Sequence, residues 1–298
     1  MADVTAIILT KNEEKNIETC VRCLKRLARR IVVVDSGSTD GTTARARALG
    51  ADVLSHPFYD YATQFNWALD HAGIDTRWAM RVDADEFYPP ALCDELETLL
   101  KAHADDDVNG ILTESDFWFL GKVIRHGGPK KRKITVFRYG HGRIEQRRMD
   151  EHTLVDGRVI RAQHRFEHHD FKDLNAWIDK MNGYATREME DYFIDRDKYA
   201  RGAREPEGIG DKYLERTRRK KFMLYYRFPK FLRCHLLFLY NYIFRLGFLD
   251  GREGFVYHYM YQRWYRTLVD AKILERELSL QSDVNTSAVQ AESKEENP

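Results

Sequence analysis

The chain lacks most of the features that would assign it to a class at once. It has four cysteines in 298 residues, too few for a disulfide scaffold, so a reducing compartment is expected. It has almost no charge of either sign in excess: 48 Lys+Arg stand against 47 Asp+Glu, a formal +1. Without a bulk field, nucleic-acid binding through net charge is excluded. No apolar run reaches the roughly 18 residues of an ordinary membrane span. Met1-Ala2-Asp3 lacks the basic, apolar opening of a secretory leader, so the chain is expected to begin in the cytosol. No internal repeat is present. What remains is a chain with 43% apolar and 12% aromatic residues, too rich for intrinsic disorder. Its length suits one large domain or two modest ones.

The first hundred residues alternate strands and helices. Val4–Leu9 is a short β-rich run, and Ile31–Val34 is a continuous apolar strand of the kind buried on both faces of a parallel sheet. Val53-Leu54 and Trp78–Val82 read as further strands. Between them Ile17, Val21, Leu24 and Leu27 recur at helical spacing, and helices are predicted over Ala44–Leu49, Tyr61–His71 and Pro90–Leu100. This order predicts an α/β fold with a mostly parallel sheet flanked by helices. Beyond Asp107, strands are predicted over Ile111–Leu120 and Ile134–Tyr139, and a helix over Asp173–Asp191.

In such sheets ligands bind beyond the carboxyl ends of the strands. Three polar clusters fall there: Thr10-Lys11-Asn12-Glu13, Asp35-Ser36-Gly37-Ser38 and Asp83-Ala84-Asp85-Glu86. Together they build an acidic pocket that repels a bare phosphate unless a cation neutralises it. Two carboxylates at i and i+2 just past a strand suit a hard, oxygen-preferring metal with open positions for phosphate oxygens. A solvated acidic turn and an aspartyl-nucleophile phosphotransferase centred on Asp83 are the competing readings. Phe87 and the late strand position disfavour the second. Cys20 and Cys23 have C-x-x-C spacing on the first helix, but no second pair completes a zinc site, so they read as a structural pair.

The stretches Ala6–Glu14, Val32–Thr42 ("VVVDSGSTDGT") and Asp83–Glu86 ("DADE") resemble the ordered motifs of family-2 glycosyltransferases. They are most similar to the branch containing lipopolysaccharide-core glucosyltransferases. The resemblance is strong over the first hundred residues and looser to residue 265. It implies a GT-A fold, a nucleotide-diphosphate-sugar donor, and a divalent metal, Mg²⁺ or Mn²⁺. It implies that Thr10, Asn12 and Glu13 line the nucleoside pocket, and that Asp35 holds the base or ribose, with Ser36 where the family often has a second Asp. Gln64 and Asn66 match a helix bordering the nucleotide, with a capping or packing role open for Asn66. Asp83 and Asp85 match the metal and diphosphate motif, Asp85 as the more direct ligand. His168 matches a segment that touches the diphosphate or metal, an exposed turn being the alternative. An inverting transfer needs a base for the acceptor hydroxyl; Glu151 matches it, with Asp150 as fallback.

From Arg216 the character changes. Arg216, Arg218, Arg219, Lys220 and Lys221 precede the aromatic-rich run Phe228–Phe248, whose Lys230, Arg233 and Arg245 make a bilayer span costly. Such a run suits a helix in the headgroup region, or else a helical subdomain packed on the catalytic domain. The chain is thus expected to divide into a catalytic domain (1–215), a basic, aromatic helical extension (216–280) that associates with a membrane surface, and a disordered tail (281–298). The expected protein is cytoplasmic and peripheral on the inner face of the cytoplasmic membrane. Its expected acceptor is a saccharide or lipid-linked glycan of the lipopolysaccharide or capsule type. Its expected partners exclude nucleic acid, because the basic stretches Lys130–Lys133 and Arg216–Lys221 carry no recognisable RNA-binding module. A non-catalytic nucleotide-sugar-binding protein is the remaining alternative.

Overall fold

The computed structural model describes residues 1–128, 132–146, 151–200 and 222–295. Strands β1 (Ala2–Thr10), β2 (Ala28–Asp35), β3 (Asp52–Ser55) and β4 (Trp78–Asp83) pair in parallel in the order β3-β2-β1-β4. They alternate with α1 (Ile17–Leu24), α2 (Thr42–Ala48) and α3 (Tyr61–His71). Side chains alternate between the two faces of the strands. Val4, Ala6, Ile8, Ile31, Val33, Met80 and Val82 meet Ile17, Val21 and Leu24 of α1 and Leu92 and Leu96 of α4 (Pro90–Ala102). Ile7, Val32, Val34 and Ala79 meet Ala62, Phe65 and Ala68 of α3 on the other face. A strand buried on both sides has no polar positions, which explains the unbroken run Ile31–Val34.

The sheet continues through β8 (Arg132–Arg138), β6 (Val108–Phe119), β11 (Arg158–His168) and β5 (Glu86–Phe87), with β7 (Lys122–Ile124) paired to β6. β8 is antiparallel to β4 and β6, whereas β11 is parallel to β6. Thus β3, β2, β1, β4, β6 and β11 run one way, and the sheet is mostly parallel in direction with helices on both faces. A small hairpin of β9 (Gly142–Ile144) and β10 (Thr153–Val155) stands apart.

After α5 (Leu174–Ala200) and the interval 201–221, which lies outside the described residues and holds the expected basic cluster, the chain is helical. α6 (Leu232–Leu239) runs into a π-helical turn, Tyr240–Phe244, and a 3₁₀ turn, Gly247–Asp250. Then come α7 (Gly251–His258), a second π turn (Tyr259–Trp264) and α8 (Tyr265–Glu295). A disordered tail was expected from Gln281; the helix instead continues to Glu295, over residues without a Gly or Pro to interrupt it.

These helices are fastened to the sheet. Asp250 accepts from the backbone N–H groups of Arg125 (2.9 Å) and His126 (2.8 Å). Gly127, at φ +63°, lets the backbones close: a Cβ there would stand 2.3 Å from the Asn241 carbonyl oxygen. Met181, Ala185 and Phe193 of α5 share a core with Tyr265, Val269 and Ile273 of α8. Among the described residues no helix is long and apolar enough to cross a membrane.

Candidate active site

Strand register brings the three polar clusters to one edge. Thr10 lies opposite Asp35, and Leu9 opposite Asp83. The Asp35 carboxylate is buried and accepts from Thr10 Oγ1 (3.0 Å), Ser38 Oγ (2.5 Å) and the N–H groups of Gly37 (3.0 Å) and Ser38 (2.8 Å). Those four bonds use the capacity of a carboxylate. Asp35 therefore shapes the second loop rather than presenting a free oxygen to a ribose, and Gly37 at φ +82° supplies the left-handed turn this needs. Asn12 clasps the same loop: its N–H donates to Ser38 Oγ (2.8 Å) and its Oδ1 accepts from Thr39 N–H (2.9 Å). Gln64 donates to Ser36 Oγ (3.0 Å) and contacts His56 Nδ1 (2.7 Å). Asn66 faces away from this edge. Its amide pairs with both backbone groups of Ile144, at 2.9 and 3.0 Å, the packing role left open for it.

The acidic turn is threaded with cations. Asp83 accepts from Tyr61 Oη (2.6 Å) and faces Lys133 Nζ (3.3 Å). Burial alone would raise its carboxyl, but Lys133 and Arg81 hold it well below the usual carboxylate range. Glu86 lies against Lys133 (2.6 Å), yet burial pushes it up to about 8. Asp85, buried, receives Lys180 Nζ at 3.0 Å and stands 3.5 Å from His168 Nε2. Lys180 is 3.6 Å from Asp170. Glu13 meets Lys172 (2.5 Å) and Asn16 (2.8 Å), and burial raises its carboxyl despite Lys172. His168 is thus close to the turn as the sequence led one to expect, because β5 and β11 pair Glu86 with His168.

Glu151 meets the acidic turn through Arg81. Its Oε1 is 3.2 Å from Arg81, and both side chains are buried, at 13% and 8% exposure. Arg81 Nε donates to Tyr61 Oη (3.1 Å), which donates to Asp83. The candidate base and the acidic turn are therefore linked through Arg81 and Tyr61. Asp150 lies outside the described residues.

Sequence reading missed Lys133, Lys172, Lys180, Arg81 and Tyr61. Arg81 did leave a signal, a single cation inside an otherwise apolar strand; Lys180 left another, a cation among Trp177, Met181 and Tyr184 on the inner face of α5. The thiols of Cys20 and Cys23 are both pushed up by burial, and Cys23 Sγ bonds the Cys20 carbonyl at 3.0 Å, so they serve as packing groups.

Among the described residues no three or more His, Cys, Asp or Glu side chains gather as a metal cage. Asp85 and His168 nevertheless offer an oxygen and a nitrogen within 3.5 Å of each other. That donor set fits a cation held jointly with substrate phosphates, as hard divalent ions often are.

Residues 5–165 match the profile of Glycosyl transferase family 2. An uncharacterized glycosyltransferase of Rickettsia felis is 37% identical over 106 residues, covering 36% of this chain and 37% of that protein. The lipopolysaccharide core biosynthesis glycosyltransferase LpsC of Rhizobium meliloti is 30% identical over 167 residues, 54% of this chain and 60% of that one. The succinoglycan biosynthesis protein ExoA of the same organism is 27% identical over 196 residues, 60% and 58% of the two chains. The chain thus spans about a third of the first relative's length and under two thirds of the other two. Among solved structures, glucosyl-3-phosphoglycerate synthase from Mycobacterium tuberculosis with Mn²⁺ and UDP matches at a TM-score of 0.31 and 24% identity, over 39% of this chain and 44% of that one.

Proposed function

The chain belongs to glycosyl transferase family 2, and on that premise we propose that it transfers a sugar, with inversion, from a nucleotide-diphosphate donor to a saccharide or lipid-linked acceptor of a surface glycan. The observation that carries the reading is the register that sets Thr10, Asp35 and Asp83 on one sheet edge beside Asp85 and His168. The surface-glycan assignment draws on the lipopolysaccharide and succinoglycan roles named for LpsC and ExoA.

The first two loops, fixed by Asn12 and Asp35, border the nucleoside, with Thr10, Glu13 and Gln64 around them. Asp83, held ionised by Lys133 and Arg81, closes the sheet side of the diphosphate. Asp85 and His168 would hold a divalent cation, Mg²⁺ or Mn²⁺, which would supply positive charge to the departing diphosphate. Lys180 and Lys172 stand beside that position and supply charge of their own. Glu151 takes the acceptor hydroxyl proton as the new C–O bond forms and the bond to the diphosphate breaks, a role worth about 10²–10⁴-fold. The protein acts at the inner face of the cytoplasmic membrane.

A thermal-shift series with UDP-, GDP-, ADP- and dTDP-glucose, with and without Mn²⁺ or Mg²⁺, tests this. A cognate donor at a hundred times its Kd adds about 2.7 kcal/mol. Glu151→Gln is expected to keep that shift and to lose transfer by about 10²-fold or more. If no nucleotide sugar raises the transition, or if the variant transfers at the wild-type rate, the corresponding assignment is wrong.

A further inference from the structure

A cavity of about 640 Å³ opens between the end of β6, α5 and the C-terminal helices. It is bordered by His168 and Lys180, which reach Asp85, and also by Leu237, Tyr240 and Arg245 of α6 and the turn after it. Its walls are aromatic: Phe117, Trp118, Trp177, Tyr184, Tyr257 and Tyr261. Flat rings for the apolar faces of pyranose rings, with Asp170, Asp173 and Gln262 of the same lining for hydroxyl groups, make a saccharide site rather than a site for a plain hydrocarbon.

α6 is built the wrong way round for a helix facing water. Leu232, Leu236, Leu239 and Ile243, at i, i+4, i+7 and i+11, form one row and are 51%, 42%, 43% and 47% exposed; Phe244 beside them is 75% exposed. The polar side chains point inward instead: Arg233 is buried on Asp270 (Nε to Oδ1, 3.0 Å), and Asn241 is buried too. Residues 222–249 carry Arg227, Lys230, Arg233 and Arg245 and no Asp or Glu. Arg233 is neutralised by Asp270 and Lys230 by Glu277 (2.5 Å), which leaves Arg227 and Arg245 exposed. An outward apolar row flanked by these two cations complements an anionic lipid surface, on which it lies without spanning it. Tyr240, 55% exposed, belongs both to this face and to the cavity.

We propose that the cavity holds the sugar end of an acceptor whose lipid tail stays in an anionic bilayer, with the α6 row resting in that bilayer; this rests on the transferase reading above. The C-terminal helices then select the acceptor as well as the location. A free sugar can stack on the walls, but only a lipid-anchored one arrives at the mouth already concentrated and oriented.

Two measurements on the full chain test it. Co-sedimentation with vesicles of phosphatidylcholine and phosphatidylglycerol should capture the wild type and should fall by about a hundredfold in affinity for Leu236→Glu/Phe244→Glu, which replaces two exposed apolar side chains of the lipid-facing row with carboxylates. Tryptophan fluorescence should show saturable binding of n-octyl glucoside below its micelle threshold, at concentrations where glucose has no effect, and Tyr184→Leu should weaken it about tenfold. In both variants the donor-induced thermal shift should match the wild type. The proposal fails if the wild type ignores anionic vesicles, if the double variant still binds them, or if octyl glucoside binds no better than glucose or is indifferent to Tyr184→Leu. A dimer that the double variant dissociates, in a protein without vesicle binding, would assign the face to a second copy and overturn it. Because neither measurement contains a nucleotide, a failed donor screen refutes the transferase reading without touching these results.

Discussion

At the scale of single residues, the carboxylates Glu13, Asp83, Asp85, Glu86 and Glu151 are each matched to a cation from a distant part of the chain. Lys180 occupies the side of Asp85 that a metal ion would use, at 3.0 Å. At an effective dielectric near 20, a unit charge so close weighs heavily on any incoming cation. Lys180→Met is therefore expected to tighten Mn²⁺ binding to the nucleotide-free protein by roughly tenfold, measured by titration calorimetry, and to weaken binding of a nucleoside diphosphate without metal. Unchanged Mn²⁺ affinity would place the ion elsewhere. This division also explains what the sequence disclosed. Asp83 and Asp85 were legible because their spacing is local and follows a strand. Lys133, Lys172 and Lys180 were not, because nothing in their neighbourhood marks them; only the pairing of β8 near β4 and the packing of α5 bring them in. Asp35 was legible as a residue at the strand end, but the bonds that fix its carboxylate were not: three come from Gly37 and Ser38 in the turn and one from Thr10, 25 positions away.

At the scale of elements, the strands of the first half and β6 and β8 were read, and one exposed, charge-rich strand was not. The helix expected over Tyr61–His71 has those bounds, and Trp78–Val82 is extended by one residue. β11, by contrast, was not foreseen. Its sequence, RVIRAQHRFEH, is rich in charge, because only Ala162 and Phe166 are buried, Arg161 and Arg165 serve Glu114, and Arg158 serves Asp106 and Asp107. The joint between sheet and C-terminal helices rests on α7. His258 is buried, its Nε2 3.1 Å from the His126 carbonyl, and burial depresses its pKa against that contact. The unfolded chain therefore binds a proton at His258 at a pH where the folded chain does not. Stability from this group is present above about 6.5 and is lost as pH falls through the lower folded value. His258→Gln should melt below the wild type at neutral pH, with the gap between the two melting temperatures narrowing on acidification; a constant gap would show that this histidine does not titrate on unfolding.

For the whole molecule the question is whether the C-terminal helices are an appendage, as a boundary near residue 215 implies, or part of the fold. Composition suggested the boundary, since charge and aromatic content change abruptly at Arg216. Packing argues otherwise. α5 precedes that point and α8 follows it, yet they share one core through Met181, Ala185, Phe193, Tyr265, Val269 and Ile273. Phe119 and Ile124 of the sheet bury themselves against Tyr257 of α7. Asp250 gives its carboxylate to two backbone N–H groups beyond β7. A cut after Glu215 would leave the apolar face of α5 and the end of β6 exposed together. Each uncovered large side chain costs about 1.5–3 kcal/mol, against a total stability of only about 5–15 kcal/mol. The full chain should therefore unfold in a single calorimetric transition, and the fragment ending at Glu215 should be insoluble or should lose α5 to limited proteolysis. Two separate transitions, or a soluble fragment with protected α5, would show that the helices are a dispensable attachment and that the acceptor cavity is not built into the fold.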